Sequence, residues 1–468
     1  MNEQILQSNK PFNTWFYIRR ILNLLVMLIL YCLVSFQRQC PTILSKDISK
    51  AYNVPIADLD IFSSIYFYAY GTMQLFAGLF ADIMEPSYLA GISQIIAAIG
   101  SIICGLSNTI LIGSIGRFLV GIGTSFTYIP ACRMNVNWFG LHWYSFLTGI
   151  FMIGSAIGSI LAQSVTAFLL DVINWRQIFY LFGGIAFFFS IVTLAFVRGS
   201  PSKCGYKEVN VEMEDVIKPR TFKEGIFQLK ENLFIVVKKF EFWKITVAGI
   251  MAGGPGTAIT GLWLSKYLKD VFDISNKESS YILSVQSIGC IIFALLIPAA
   301  SSLLKTRKWV MVFIALLSLA SAVYAFILNE KMTKISIYVV IFIYGLLGFP
   351  SSTLSYPLCR ECYHPSVAAT AVGTLNFFCM TCNGVFQPLC SKIVKSFGVE
   401  ENGAYTIKGY KYGLWLVSVV AFSISSGIKL VIHESLLFDK KNKKPETLST
   451  YTEISSISKI DDNCNVPS

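Results

Sequence analysis

Two arginines stand inside apolar stretches of this chain, Arg38 and Arg117. A guanidinium at bilayer depth costs about 2.5–3.5 kcal/mol on insertion scales. Each presents a rigid fork of N–H donors that fits a carboxylate or a phosphate. Together they make the first candidate for a substrate-binding pair. Arg38 lies in Ser-Phe-Gln-Arg-Gln-Cys-Pro, near the end of its stretch, so snorkelling to the interface is its other reading. For Arg117 the other reading is structural, the capping of backbone groups on neighbouring helices. Tyr66 and Tyr70 are four residues apart and share one helical face. Their hydroxyls are candidates to line a polar cavity, with aromatic packing as the alternative. Trp263 and Tyr267 repeat that spacing, and Tyr267 also suits an interfacial anchor. Tyr344 occupies the position that matches Arg117, 227 residues later. Ser351, Ser352 and Thr353 follow it.

That offset is a property of a longer pattern. Gly121, Pro130, Cys132 and Arg133 recur without a gap as Gly348, Pro357, Cys359 and Arg360. A duplicated membrane unit that holds solute between its halves is the usual plan of a secondary transporter. The bulk composition agrees. The chain has 468 residues, 54% hydrophobic and only 14% charged, against about 25% charged in soluble proteins. The net charge is +11, and many of the basic residues lie in a central stretch, from Arg198 to Lys239, and in the tail, from Lys440 to Lys444. That is the lysine and arginine bias of cytoplasmic segments, not a nucleic-acid footprint.

The elements that must position these residues are twelve membrane helices, each near the roughly 20 residues a bilayer demands. We place them at 21–44, 60–83, 87–106, 109–133, 144–169 and 176–197, then at 243–268, 279–303, 309–328, 334–357, 366–390 and 410–433. The expected fold is an all-α membrane protein of two pseudo-symmetric six-helix bundles. Its parts are a cytosolic segment 1–20, a first bundle 21–197, a cytosolic linker 198–242, a second bundle 243–433 and a cytosolic tail 434–468. Residues 222–240 of the linker suit an amphipathic helix on the membrane surface. An even number of spans puts both termini on one side, and the positive bias makes that side the cytosol. Gly154 and Gly158 form a small-xxx-small pair that lets two backbones approach. Gly253-Gly254-Pro255-Gly256 is expected to interrupt the seventh span, as a hinge, a binding site or a packing kink.

Absences narrow the chemistry. No Asp or Glu falls in the middle of an expected span. Membrane carboxylates commonly relay protons in pumps, so facilitated diffusion or exchange is favoured over carboxylate-driven symport. The three histidines, His142, His364 and His433, lie near helix ends or in loops. No enzymatic constellation, cofactor site or metal site is expected. Cys359 with Cys362 and Cys379 with Cys382 mimic zinc spacing. Cys379 lies about 20 Å along its helix, too far for zinc–sulfur bonds of about 2.3 Å. The expected partners are a small-molecule substrate and the lipid bilayer. The sequence names no accessory subunit.

Several motifs give the chain a family likeness. Residues 66–82 end in Gly78-x-x-x-Asp82, the fourth span carries Arg117-x-x-x-Gly121-x-Gly123, and Trp138-Phe139 follows it. Trp175-Arg176 opens the sixth span; Asn376 and Gln387-Pro388 lie on the eleventh. In this order the chain resembles the major facilitator superfamily over nearly its whole length. The resemblance implies a gating motif at Gly78 and Asp82 and structural roles for Gly121 and Gly123. Within the superfamily the chain looks most like organic-anion and sugar-phosphate permeases, whose substrate-binding arginine on the first span Arg38 resembles. It also resembles the eukaryotic lysosomal dipeptide transporter group, which implies a dipeptide or amino-acid substrate as the alternative. A nutrient sensor that kept the carrier fold without transport is a further alternative. Tyr451-Thr-Glu-Ile454 resembles an endolysosomal sorting signal, so plasma and endolysosomal membranes both stay open.

Overall fold

The computed structural model describes residues 13–140, 143–207, 209, 222–345, 349–363, 365–400 and 404–434. The sorting-signal residues 451–454 lie outside these. So do the side chains of Asp82, Ser351, Ser352 and Thr353.

Nearly every described residue is helical. The first six spans are α1 (Thr14–Tyr52), α2 (Asp60–Ile83), α3 (Pro86–Leu106), α4 (Ile110–Ser125) continued by α5 (Tyr128–Phe139), α6 (Tyr144–Leu169) and α7 (Trp175–Phe196). The linker contains α8 (Phe222–Lys238). The later spans are α9 (Phe240–Ala258) running through a π-turn (Ile259–Trp263) into α10 (Leu264–Phe272), then α11 (Asn276–Leu304) and α12 (Lys308–Leu328). They close with α13 (Lys334–Tyr344) and α14 (Phe349–Glu361), α15 (Pro365–Ser396), and α16 (Ile407–Tyr410) leading to α17 (Val417–Val431).

Nine helices among the described residues are long and apolar enough to cross a membrane. The expected spans outside that set are α2, α15 and the tenth, whose described parts are α13 and α14. α13 is apolar but short, and the lower hydropathy of α2 and α15 has a physical cause. α2 and α15 pack on each other, and each turns polar residues (Ser63 on α2, Asn383 and Gln387 on α15) toward a cavity, not toward lipid.

Two helix pairs join the halves, α2 with α15 and α6 with α11. Counted as spans these are two with eleven and five with eight. Shifting each span by six turns one pair into the other, which is the signature of the internal pseudo-two-fold axis. Within the halves α1 packs on α6, α3 on α4 and α7, and α9 on α15 and α17.

Three expectations change. The first span runs from Thr14 to Tyr52, longer at both ends than 21–44, because Asn13 caps its start and Asn53 ends it at a positive φ of 55°. The Gly-Gly-Pro-Gly stretch does not interrupt the seventh span. α9 passes through Pro255 and reaches Ala258, and the distortion comes afterwards, as the π-turn Ile259–Trp263. The proline removes one N–H donor, and a π-turn is a usual local adjustment at functional sites. Tyr267 is not an interfacial anchor. It is 1% exposed and donates its hydroxyl to the side chain of Asn329 at 3.2 Å.

Candidate functional site

A cavity of about 150 Å³ lies between the halves. α1 brings Arg38 and Gln39 to it, and α6 brings Ser155 and Ser159. The distorted seventh span supplies Thr257, Thr260 and Gly261, α11 supplies Gln286 and Ser287, and α15 supplies Asn383 and Gln387. Among the described residues that line the cavity, Arg38 is the only charged one. The remaining polar groups are hydroxyls and amides, which both donate and accept. The wall therefore combines one fixed cation with a ring of adaptable hydrogen-bonding groups.

Arg38 is held on a tied backbone. Its Nη2 reaches Ser35 Oγ at 3.5 Å, and Ser35 Oγ shares a 2.6 Å hydrogen bond with Ser155 Oγ of α6. The glycines of α6 permit that approach. A Cβ on Gly158 would lie 2.2 Å from the carbonyl oxygen of Cys32, and one on Gly154 would lie 2.5 Å from Leu28 Cδ1.

Arg117 takes a different place. It is 1% exposed, and its Nη1 donates to the carbonyl of Gln37 at 2.8 Å. Its guanidinium stands 4.7 Å from the centroid of the Tyr66 ring, within cation–π range. It is absent from the residues that line the cavity. Tyr66 and Tyr70 stack on each other at 5.8 Å and are buried, and the Tyr66 hydroxyl accepts from Thr124 Oγ1 at 3.1 Å. Trp263 is fully buried, donating to Ser391 Oγ at 3.3 Å and packing on Tyr405. Tyr344 is buried against Trp415 and Phe422. Of the six expected substrate-contact residues the structure brings Arg38 to the cavity wall. It sets the other five in the packing behind it.

Gly121 and Gly123 serve packing on two sides of α4. A Cβ on Gly121 would meet Tyr66 O of α2 at 2.6 Å, and one on Gly123 would meet Ser93 O of α3 at 2.4 Å. Gly78 faces open space, with nothing within 4 Å of a built Cβ. Cys359, Cys362 and Cys379 belong to one apolar cluster. No three metal-ligating side chains converge among the described residues.

The polar contacts across the halves gather at the end of the bundle remote from the linker. Thr42 Oγ1 donates to Gly261 O at 2.7 Å, and Ser164 and Ser284 share a hydrogen bond of 3.1 Å. Lys395 pairs with Asp58, and Lys277 stands 3.6 Å from Asp171. Behind them Asp270 accepts from Lys266 at 2.8 Å and from the Tyr410 hydroxyl at 2.6 Å. The cavity continues toward the linker end past Met152, Ala294 and Leu375.

Sequence reasoning passed over Ser159, Thr257, Thr260, Gln286 and Asn383. Their shared signal was polar side chains at similar depth on spans five, seven, eight and eleven.

A helical bundle with an internal two-fold and a polar cavity on that axis is the architecture of a membrane transporter. The chain belongs to the Major Facilitator Superfamily, whose sequence pattern matches residues 27–387. Among curated relatives, the probable sulfoacetate transporter of Cupriavidus necator is 22% identical over 38% of this chain and 41% of that protein. The hexuronate transporter of Escherichia coli K12 is 22% identical over 74% of this chain and 81% of its own length. Human sialin is 22% identical over 52% of this chain and 49% of its own. The chain spans less than half the length of the first two curated relatives it matches. A bacterial homologue of the human lysosomal transporter Spinster, solved inward-facing and unoccupied, superposes with a TM-score of 0.69 at 16% identity. That alignment covers 91% of this chain and 99% of the other, and it establishes the fold.

Proposed function

We propose that the chain is a secondary carrier that moves a small organic anion across a membrane by alternating access, as uniport or exchange. It carries its substrate without converting it. The observation that supports this most is the lone cation of the cavity. Arg38 gives a carboxylate or sulfonate its charge-assisted hydrogen bonds, and the hydroxyls and amides around it suit a polar, uncharged remainder. The relatives point the same way, since those named above include proteins for sulfoacetate and hexuronate.

The two halves, residues 21–197 and 243–433, rock about the cavity, with the linker and both termini in the cytosol of a plasma or endolysosomal membrane. The gathered contacts at the far end then describe a carrier closed to the outside or lumen. A dipeptide would also need a partner for its ammonium group, and the described cavity wall offers no carboxylate.

Counterflow uptake into proteoliposomes tests the reading. Hexuronates, short sulfonates, sugar phosphates and dipeptides are offered in turn. Saturable flux of an organic anion, with an apparent affinity that Arg38→Ala weakens about 10- to 100-fold, is the expected result. Saturable flux of dipeptides alone would replace the substrate class, and no flux of any class would point to a sensor.

A further inference from the structure

The linker helix α8 shows two opposite stripes. Gly225, Leu229, Asn232, Leu233 and Val236 recur at helical spacing and face the protein. Val236 is fully buried, its carbonyl accepts from the Tyr363 hydroxyl at 2.8 Å, and Asn232 Nδ2 donates to Thr370 Oγ1 at 3.3 Å. The other stripe is Lys223, Phe227, Lys230, Phe234 and Lys238, all exposed. Phe227 is 63% and Phe234 68% exposed. Spacings of three and four residues align these five on one face, with cation and aromatic ring in alternation. Glu224 and Glu231 lie on one flank of it.

The depth of α8 decides what such a face meets. Thr370 is the sixth residue of α15, so the contact lies about 8 Å along that helix. α8 therefore runs beside the first turns of α15 and does not hang below them. Its end passes directly into α9, where Phe240 is 76% exposed, and the Trp243 indole donates to Val237 O at 2.8 Å to fix the corner. This is the level of lipid headgroups. Alternating Lys and Phe match it, the rings reaching the acyl boundary and the ammonium groups the phosphates.

We infer that the outer face of α8 is a docking surface for the anionic phospholipids of the leaflet on the linker side. Charge complementarity carries the choice. Three ammonium groups in line favour anionic over zwitterionic headgroups. Because α8 packs on both α2 and α15, the lipid attaches at the seam between the halves.

The test uses the full-length protein in vesicles of phosphatidylglycerol or of phosphatidylcholine, each with brominated acyl chains. The added fluorescence of F234W over wild type is the probe. Bromolipid should quench it, iodide should not, and phosphatidylglycerol should outcompete phosphatidylcholine. Removing each lysine in K223Q, K230Q and K238Q should lower that preference about fivefold. K230Q alone serves if the triple variant does not fold. Quenching by iodide and not by lipid would overturn the inference. So would quenching that ignores headgroup charge, or protection that comes with dimerisation in detergent.

Discussion

Arg117 donates its guanidinium to the carbonyl of Gln37, the residue that precedes Arg38 in the chain. One intramembrane arginine thereby fixes the backbone that carries the other. The two cations act in series, the buried one as scaffold and the half-buried one at the cavity wall. Arg117→Ala should lower thermal stability, since an orphaned buried carbonyl costs about 1–3 kcal/mol. It should also weaken substrate binding through Arg38. A double-mutant cycle of Arg38→Ala with Arg117→Ala checks this, and fully additive losses would separate the two roles.

Arg38→Ala should weaken apparent affinity for the transported anion by about 10- to 100-fold, the equivalent of the roughly 1.5–3 kcal/mol of a charge-assisted hydrogen bond. Arg38→Lys should recover part of it, because lysine keeps the charge without the fork. Counterflow titrations of the three proteins make the comparison.

Two glycines should answer substitution oppositely. Gly158→Leu drives a side chain into the carbonyl of Cys32, where even a Cβ would lie 2.2 Å away. A loss of about 1–3 kcal/mol or more follows from overpacking. Gly78→Ala meets nothing within 4 Å and should be neutral or stabilising by about 0.5–1 kcal/mol. Thermal unfolding in detergent resolves both.

The ion pair of Asp58 and Lys395 crosses the halves at the closed end, with side chains 45% and 38% exposed. Such a pair contributes only about 0.2–1 kcal/mol. Asp58→Lys replaces attraction with repulsion and should shift the carrier toward its other state. A cysteine at Thr42, introduced in a cysteine-free background, should then label faster with an impermeant thiol reagent from the far side. Unchanged labelling would show that the pair does not gate.

Nine of the spans were legible because each is a long apolar run, and the repeat was legible because Gly121 and Gly348 head matching patterns. The site was legible only in part. Arg38 and Arg117 look alike in sequence, each a lone cation within an expected membrane span. Rotation about their helix axes separates them, one toward the cavity and one toward the carbonyl of Gln37. No one-dimensional pattern encodes that rotation. Tyr66, Trp263 and Tyr344 show the same limit, for an aromatic ring near mid-span reads alike whether it faces a cavity or a neighbouring helix. Thr260 and Gly261 reach the wall through a π-turn that the preceding Gly-Gly-Pro-Gly hinted at but did not locate.

A wall whose described residues include one charged group, Arg38, has an electrical meaning. On the proposed reading, taking up a monoanion beside Arg38 changes the charge of the chamber by one. As access switches sides around the cavity, that charge feels a changed share of the membrane voltage, some fraction of the about 2.3 kcal/mol per 100 mV of a full crossing. On the same reading, exchange of one monoanion for another is thus electrically silent, while the vacant return step feels the resting potential and sets the direction in which net flux runs fastest.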